Sequence, residues 1–266
     1  MSITLNSRRL GDPQSPHLLM AHGLFGSHEN LMAAARILGE HYCIHLLDLR
    51  NHGQSPHCET MSYPEMADDV MQYMDDQGLS SAFVLGHSMG GKVMMQLALD
   101  HPERVAALVV ADISPVTYPP HHNAILDGLK AMVLSDIGSR RDADAALSSF
   151  EPNPAVRQFL LKNLQRRDHD DDERTPTRYI WRLNLDAIVR CYDLLAEAPV
   201  FEVAYKGPTL FIKGGDSAYI QKKHQETIMT MFPKAQVRIM PGTNHWLHAE
   251  KPDLFSGIVR RFLDEL

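Results

Sequence analysis

Six short apolar runs recur along the chain, at His17–Ala21, Ile44–Asp48, Ala82–Gly86, Val105–Ala111, Thr209–Lys213 and Gln236–Met240. Each is too short for a buried helix and is bounded by polar or turn-forming residues, so each predicts a strand. Between them lie Leu31–Gly39, Tyr63–Gln77, Lys92–Asp100, Lys222–Met231 and Pro252–Leu266, where apolar positions return every three or four residues as on one face of a helix. Strands that read as continuous apolar runs are covered on both faces, and helices between successive strands supply the parallel crossovers. The fold class is α/β, with a mostly parallel central sheet.

The alternation breaks between Pro115 and Pro199. The amphipathic stretches HHNAILDGLKAMVL, AVRQFLLKNLQRR and LDAIVRCYDLLAEA dominate there, and no strand is obvious. The expected organisation is therefore a core made of residues 1–114 and 200–266, interrupted by a helical lid at 115–199. Within it, Arg166–Arg174 (RRDHDDDER) predicts a solvated connection. Its acids are contiguous rather than convergent, so no metal site is expected.

At 266 residues and 44% hydrophobic content the chain can bury a substantial core, and a formal charge of −7 gives no surface for neutralising phosphates. Nucleic acid and anionic membranes are thereby disfavoured as partners, and a small molecule is expected. Cys43, Cys58 and Cys191 are few, widely spaced and odd in number, which suits structural thiols in a reducing compartment. The leading segment MSITLNSRRLG lacks an apolar signal core, and no apolar run is long enough to span a bilayer, so a cytoplasmic protein is expected.

The candidate chemistry centres on AFVLGHSMGG at 82–91, a strand, a Gly-x-Ser-x-Gly turn and a helix start. Such a tight turn needs Gly86 and Gly90 and leaves the Ser88 hydroxyl exposed above the sheet edge, which makes it the candidate nucleophile. A serine hydroxyl needs a general base, and His245, in the loop PGTNHW after the last predicted strand, falls on the same edge. Two backbone N–H groups are expected to hold an oxyanion, from Met89 directly after the nucleophile and from Leu24 in the loop HGLFG at 22–26. His22 is expected to hold that loop by hydrogen bonds.

The motifs HGLFGS at 22–27, DLRNHGQS at 48–55, GHSMGGK at 86–92, ADISP at 111–115, FIKGGDS at 211–217 and NHWLHAEKP at 244–252 resemble the alpha/beta-hydrolase fold, and within it the bacterial YbfF-type esterases. The resemblance covers nearly the whole chain outside the lid. It implies Ser88 as nucleophile, His245 as base and N–H donors at Leu24 and Met89. Most such hydrolases place the acid after the seventh strand in a Gly-x-x-Asp pattern, where this chain has Ser217, with Asp216 one residue early. Asp112, at the end of the strand beside the elbow strand, matches an Asp-Ile-x-Pro segment of the YbfF-type chains. It is favoured over Asp216 for the acid. Asp48 and Arg50 are expected to pair or hold their loop, and Phe25, Tyr118, Trp181 and Trp246 are candidate walls of an acyl pocket.

The expected activity is that of a serine esterase acting without a cofactor on short- to medium-chain acyl esters, with acyl-thioesters included. Serine at position 88 argues against the dehalogenases and epoxide hydrolases of the same fold, which need a carboxylate nucleophile. Carbon–carbon hydrolases and lactonases use serine and stay open as alternatives. A non-catalytic small-molecule receptor is disfavoured because nucleophile, base, oxyanion loop and an acid are all present.

Overall fold

The computed structural model describes residues 2–167 and 179–266. Its central sheet has the order β1-β3-β2-β4-β5-β8-β9, built from β1 (Ser7–Leu10), β2 (His17–Ala21), β3 (Cys43–Leu47), β4 (Ala82–His87), β5 (Val105–Ala111), β8 (Thr209–Gly214) and β9 (Ala235–Met240). Only β1 runs antiparallel, pairing with β3; the other neighbours are parallel. The α/β class with a mostly parallel sheet and all six sequence-predicted strands are thus present. β1 was not foreseen, because its sequence SRRL has no apolar run and it lies at the sheet edge, with both arginines exposed.

Alternate residues of one strand feed opposite layers, as a period of two requires. Leu19, Val84, Leu108 and Val110 enter the core beneath α2 (Tyr63–Asp76) and α3 (Met89–Asp100). Leu18, Met20, Leu85 and Val109 enter the opposite core with Ala34, Leu38, Phe255 and Val259, from α1 (Met32–Leu38) and α11 (Pro252–Asp264). Each such side chain contributes roughly 1.5–3 kcal/mol by leaving water. α2 starts cleanly because Ser62 accepts from the Glu65 N–H and donates back to the Glu65 carboxylate.

Between β5 and β8 the chain forms α4 (Asn123–Ala131), α5 (Arg140–Leu147), α6 (Pro154–Leu160), β6 (Leu164–Arg166), β7 (Tyr179–Trp181), α7 (Leu185–Arg190) and α8 (Tyr192–Ala196). The expectation of helices without strands needs one correction, since β6 and β7 form an antiparallel pair. Three residues are too few for an alternation to show in sequence. The acidic part of the Arg166–Arg174 run lies outside the described residues from position 168 onward. After β8 come α9 (Gln225–Met231) and, beyond β9, the short α10 (Leu247–Glu250) ahead of α11. Among the described residues no helix is long and apolar enough to cross a membrane. Because β2, β4, β5, β8 and β9 are parallel, the loops carrying Leu24, Ser88, Asp112, Ser217 and His245 all leave from one edge of the sheet.

Candidate active site

The turn from β4 into α3 forces Ser88 to φ 53° and ψ −120°, a sparsely populated conformation that costs about 1–3 kcal/mol. The surrounding chain over-determines it. A Cβ on Gly86 would meet the Gly90 carbonyl oxygen at 2.1 Å, and one on Gly90 would meet the Ala21 oxygen at 2.5 Å, so side chains at either position are excluded. The Ser88 N–H donates to Ala111 O at 3.0 Å, tying the elbow to the end of β5.

From the opposite side of the site, His245 Nε2 lies 3.0 Å from Ser88 Oγ, and its Nδ1 lies 2.8 Å from Asp112 Oδ2. A carboxylate only accepts, so the shared proton sits on Nδ1, which leaves the Nε2 lone pair to accept from the serine hydroxyl. Asp112 is fully buried with φ 52°. Its Oδ1 accepts from the Gly214 N–H at 2.9 Å, and Oδ2 accepts from Ser217 Oγ at 2.5 Å as well as from the histidine. Asp216 is exposed and donates its backbone N–H to Thr243 O at 2.9 Å. Of the two candidate acids, Asp112 is the one facing the imidazole.

Met89 is the first residue of α3, so its N–H has no helical carbonyl one turn earlier to bond. Leu24 lies beside Ser88 in the loop after β2, where a Cβ on Gly23 would come within 3.2 Å of the Ser88 Cβ. That loop is held rigidly. His22 Nε2 accepts from the Leu49 N–H at 3.1 Å while its Nδ1 donates to Gly23 O at 2.8 Å, as expected for a loop-holding histidine. Phe25, at φ 61°, donates its N–H to His52 Nε2 at 3.2 Å and accepts from Asn163 Nδ2 at 2.7 Å. Asp48 and Arg50 hold their loop separately rather than pairing with each other. Asp48 bonds His28, Asn6 and Gln54, whereas Arg50 bonds Asp69 at 2.6 and 2.8 Å.

Ser88 stands between two cavities. One, of about 520 Å³, is lined by Phe25, Ile125, Val156, Phe159, Trp246 and His245. The other, of about 50 Å³, is lined by Tyr63, Lys92, Ile113, Tyr118, Tyr192 and Leu195. Phe25 and Trp246 thus line the larger cavity and Tyr118 the smaller one. Trp181 lines neither, since it borders a separate surface cavity with His57 and Asn184.

Three participants were missed in sequence. Tyr219 stacks on the His245 ring at 4.0 Å between centroids, His87 Nε2 donates to His245 O at 2.8 Å, and Lys92 reaches the small cavity. Only Lys92 carried a signal, being a lysine one turn past the nucleophile on the buried face of α3. Burial lowers its ammonium to about 7, and it donates to Ala196 O at 3.2 Å and also to Glu197 O. His87 is driven well below the ordinary histidine value by burial and by the neighbouring His248 and His245. All three cysteines are free.

The alpha/beta hydrolase fold family model matches residues 16–252. The sn-1-specific diacylglycerol lipase ABHD11 of Mus musculus is 39% identical over 261 residues, covering 95% of this chain and 82% of that protein. Esterase YbfF of Escherichia coli is 36% identical over 249 residues, covering 93% of each. Among solved structures, a marine microorganism esterase superposes with a TM-score of 0.92 at 35% identity, covering 98% of this chain and all of the other.

Proposed function

Because the chain belongs to the alpha/beta hydrolase fold family, we propose that it is a serine carboxylic ester hydrolase in which Ser88, His245 and Asp112 form the triad and the Leu24 and Met89 N–H groups form the oxyanion hole. The observation that carries the reading is the unbroken run from Asp112 Oδ2 to His245 to Ser88 Oγ, at 2.8 and 3.0 Å. The two esterase relatives and the lipase relative support it by their names and coverage.

In this reading the ester carbonyl binds with its oxygen toward the two N–H groups. Ser88 Oγ attacks as His245 Nε2 takes its proton, and the buried Asp112 carboxylate stabilises the imidazolium and fixes its tautomer. Each oxyanion donor contributes about 3–4 kcal/mol at the transition state. Collapse of the tetrahedral adduct passes the Nε2 proton to the departing alcohol, and water enters by the same route to free the acid. The substrate class is carboxylic esters and thioesters.

Residues 115–199 act as the lid, tethered over the site by Tyr63 Oη donating to Leu195 O at 2.6 Å, by Lys92, and by Arg182 donating to Ser27 Oγ at 3.0 Å. The test is hydrolysis of p-nitrophenyl acetate and labelling by a fluorophosphonate. Ser88→Ala lowers kcat by about a million-fold and abolishes labelling. Undiminished turnover in that variant overturns the assignment.

A further inference from the structure

The two cavities on either side of Ser88 differ about tenfold in volume, at about 520 and 50 Å³, and only the larger includes His245 in its wall. Taking the serine-hydrolase reading as its basis, the difference fixes which half of an ester goes where. The histidine that has taken the Ser88 proton must deliver it to the leaving oxygen, so the leaving group lies on the histidine side. Its substituent therefore occupies the large cavity, and the acyl substituent points the other way, toward Tyr63, Lys92 and Leu195.

A cavity of roughly 150 Å³ accepts benzene; by that measure 50 Å³ holds about two carbon atoms. The small cavity cannot widen cheaply, because its walls are cross-linked by hydrogen bonds. Tyr63 Oη donates to Leu195 O at 2.6 Å, Tyr118 Oη donates to Tyr219 O at 2.5 Å, and Tyr192 Oη accepts from the His122 N–H at 2.9 Å. Lys92 pins Ala196 O and Glu197 O across the same space, with its ammonium 5.4 and 5.1 Å from the Tyr63 and Tyr118 ring centres. The large cavity is instead walled by Phe25, Val156, Phe159 and Trp246, apolar surface that gains about fourfold in binding for each CH₂ it covers.

We propose that the substrates are esters or thioesters that join a two- to three-carbon acyl group to a bulky apolar alcohol or thiol. Chain length is then read on the leaving side and capped on the acyl side.

Two isomeric esters with the same atoms separate the sides. Hexyl acetate places its chain in the large cavity, and ethyl hexanoate places it in the small one. The expected result is a kcat/KM at least about tenfold higher for hexyl acetate. Leu195→Ala opens the small cavity and narrows that ratio at least threefold. Phe159→Ala, on the other side, lowers kcat/KM for hexyl acetate more than for ethyl acetate. Equal rates for the two isomers, or a preference for ethyl hexanoate, overturn the orientation while leaving an esterase that still depends on Ser88. Hydrolysis of both isomers that survives Ser88→Ala instead overturns the nucleophile assignment itself.

Discussion

Ser217 donates to Asp112 Oδ2 at 2.5 Å, so the residue standing where related hydrolases carry their acid is bonded to the carboxylate that here faces the histidine. The two positions converge on one imidazole from different strands, Asp112 after β5 and Ser217 after β8. Asp112→Asn, which keeps a residue tolerant of φ 52°, is expected to lower kcat about ten-thousand-fold by presenting the wrong partner to Nδ1. Adding Ser217→Asp supplies a carboxylate at the alternative position. The double variant is expected to recover at least tenfold over Asp112→Asn, measured as kcat on p-nitrophenyl acetate.

The glycines of the elbow and of the last helix have opposite sensitivities. A methyl at Gly86 would lie 2.1 Å from a backbone oxygen that cannot move without moving α3, whereas one at Gly257 in α11 meets nothing within 4 Å. Gly86→Ala is expected to cost more than about 3 kcal/mol. Gly257→Ala should gain about 0.5–1 kcal/mol from the helix interior. Urea midpoints of the two variants against the parent chain give both values.

Buried histidines predict acid lability. Burial is the chief cause that lowers His45 to about 4 and His52 and His248 to about 3. The unfolded chain takes up these protons near pH 6.5 while the folded chain refuses them, so stability is lost as pH falls from about 6.5 toward 3. Each group adds a slope of up to about 1.4 kcal/mol per pH unit. His248 Nδ1 has no partner among the described residues. His248→Leu should therefore flatten the slope by one group's share in denaturant titrations at pH 7, 6 and 5.

Lys92 continues the same dependence at higher pH. With a folded value of about 7, set by burial, against about 10.5 when exposed, the unfolded chain binds the extra proton between those limits. Stability due to this group therefore rises with pH above about 7. Lys92→Met removes that rise, by up to about 1.4 kcal/mol per pH unit between pH 7 and 9, and leaves the slope below pH 6.5 unchanged. Parallel denaturation series of the two proteins read the difference directly.

The parts of the site legible in sequence are those that a local pattern forces. The elbow is legible because its steric crowding admits only glycine at 86 and 90, and His245 because one loop follows the last strand of the core. The inner strands are legible because burial on both faces writes unbroken apolar runs. Edge strand β1 and the β6–β7 pair are not, since exposure and shortness erase the period. Tyr219 stacking on His245 and His87 meeting the His245 carbonyl, the latter across 158 residues, depend on separate elements meeting in space. No spacing encodes such a meeting. The choice between Asp112 and Asp216 was open in sequence for a related reason, because one residue at a strand end decides which way a carboxylate points.

His87 and Ala111 are register partners in neighbouring strands, so the residues that follow them, Ser88 and Asp112, are spaced by the sheet itself rather than by any loop. This spacing is thereby insulated from whatever happens in the stretch of chain that intervenes before β8. An inserted segment mounted in this way can change its length and lining through descent, and with them the molecules admitted, without the proton-handling machinery having to be rebuilt.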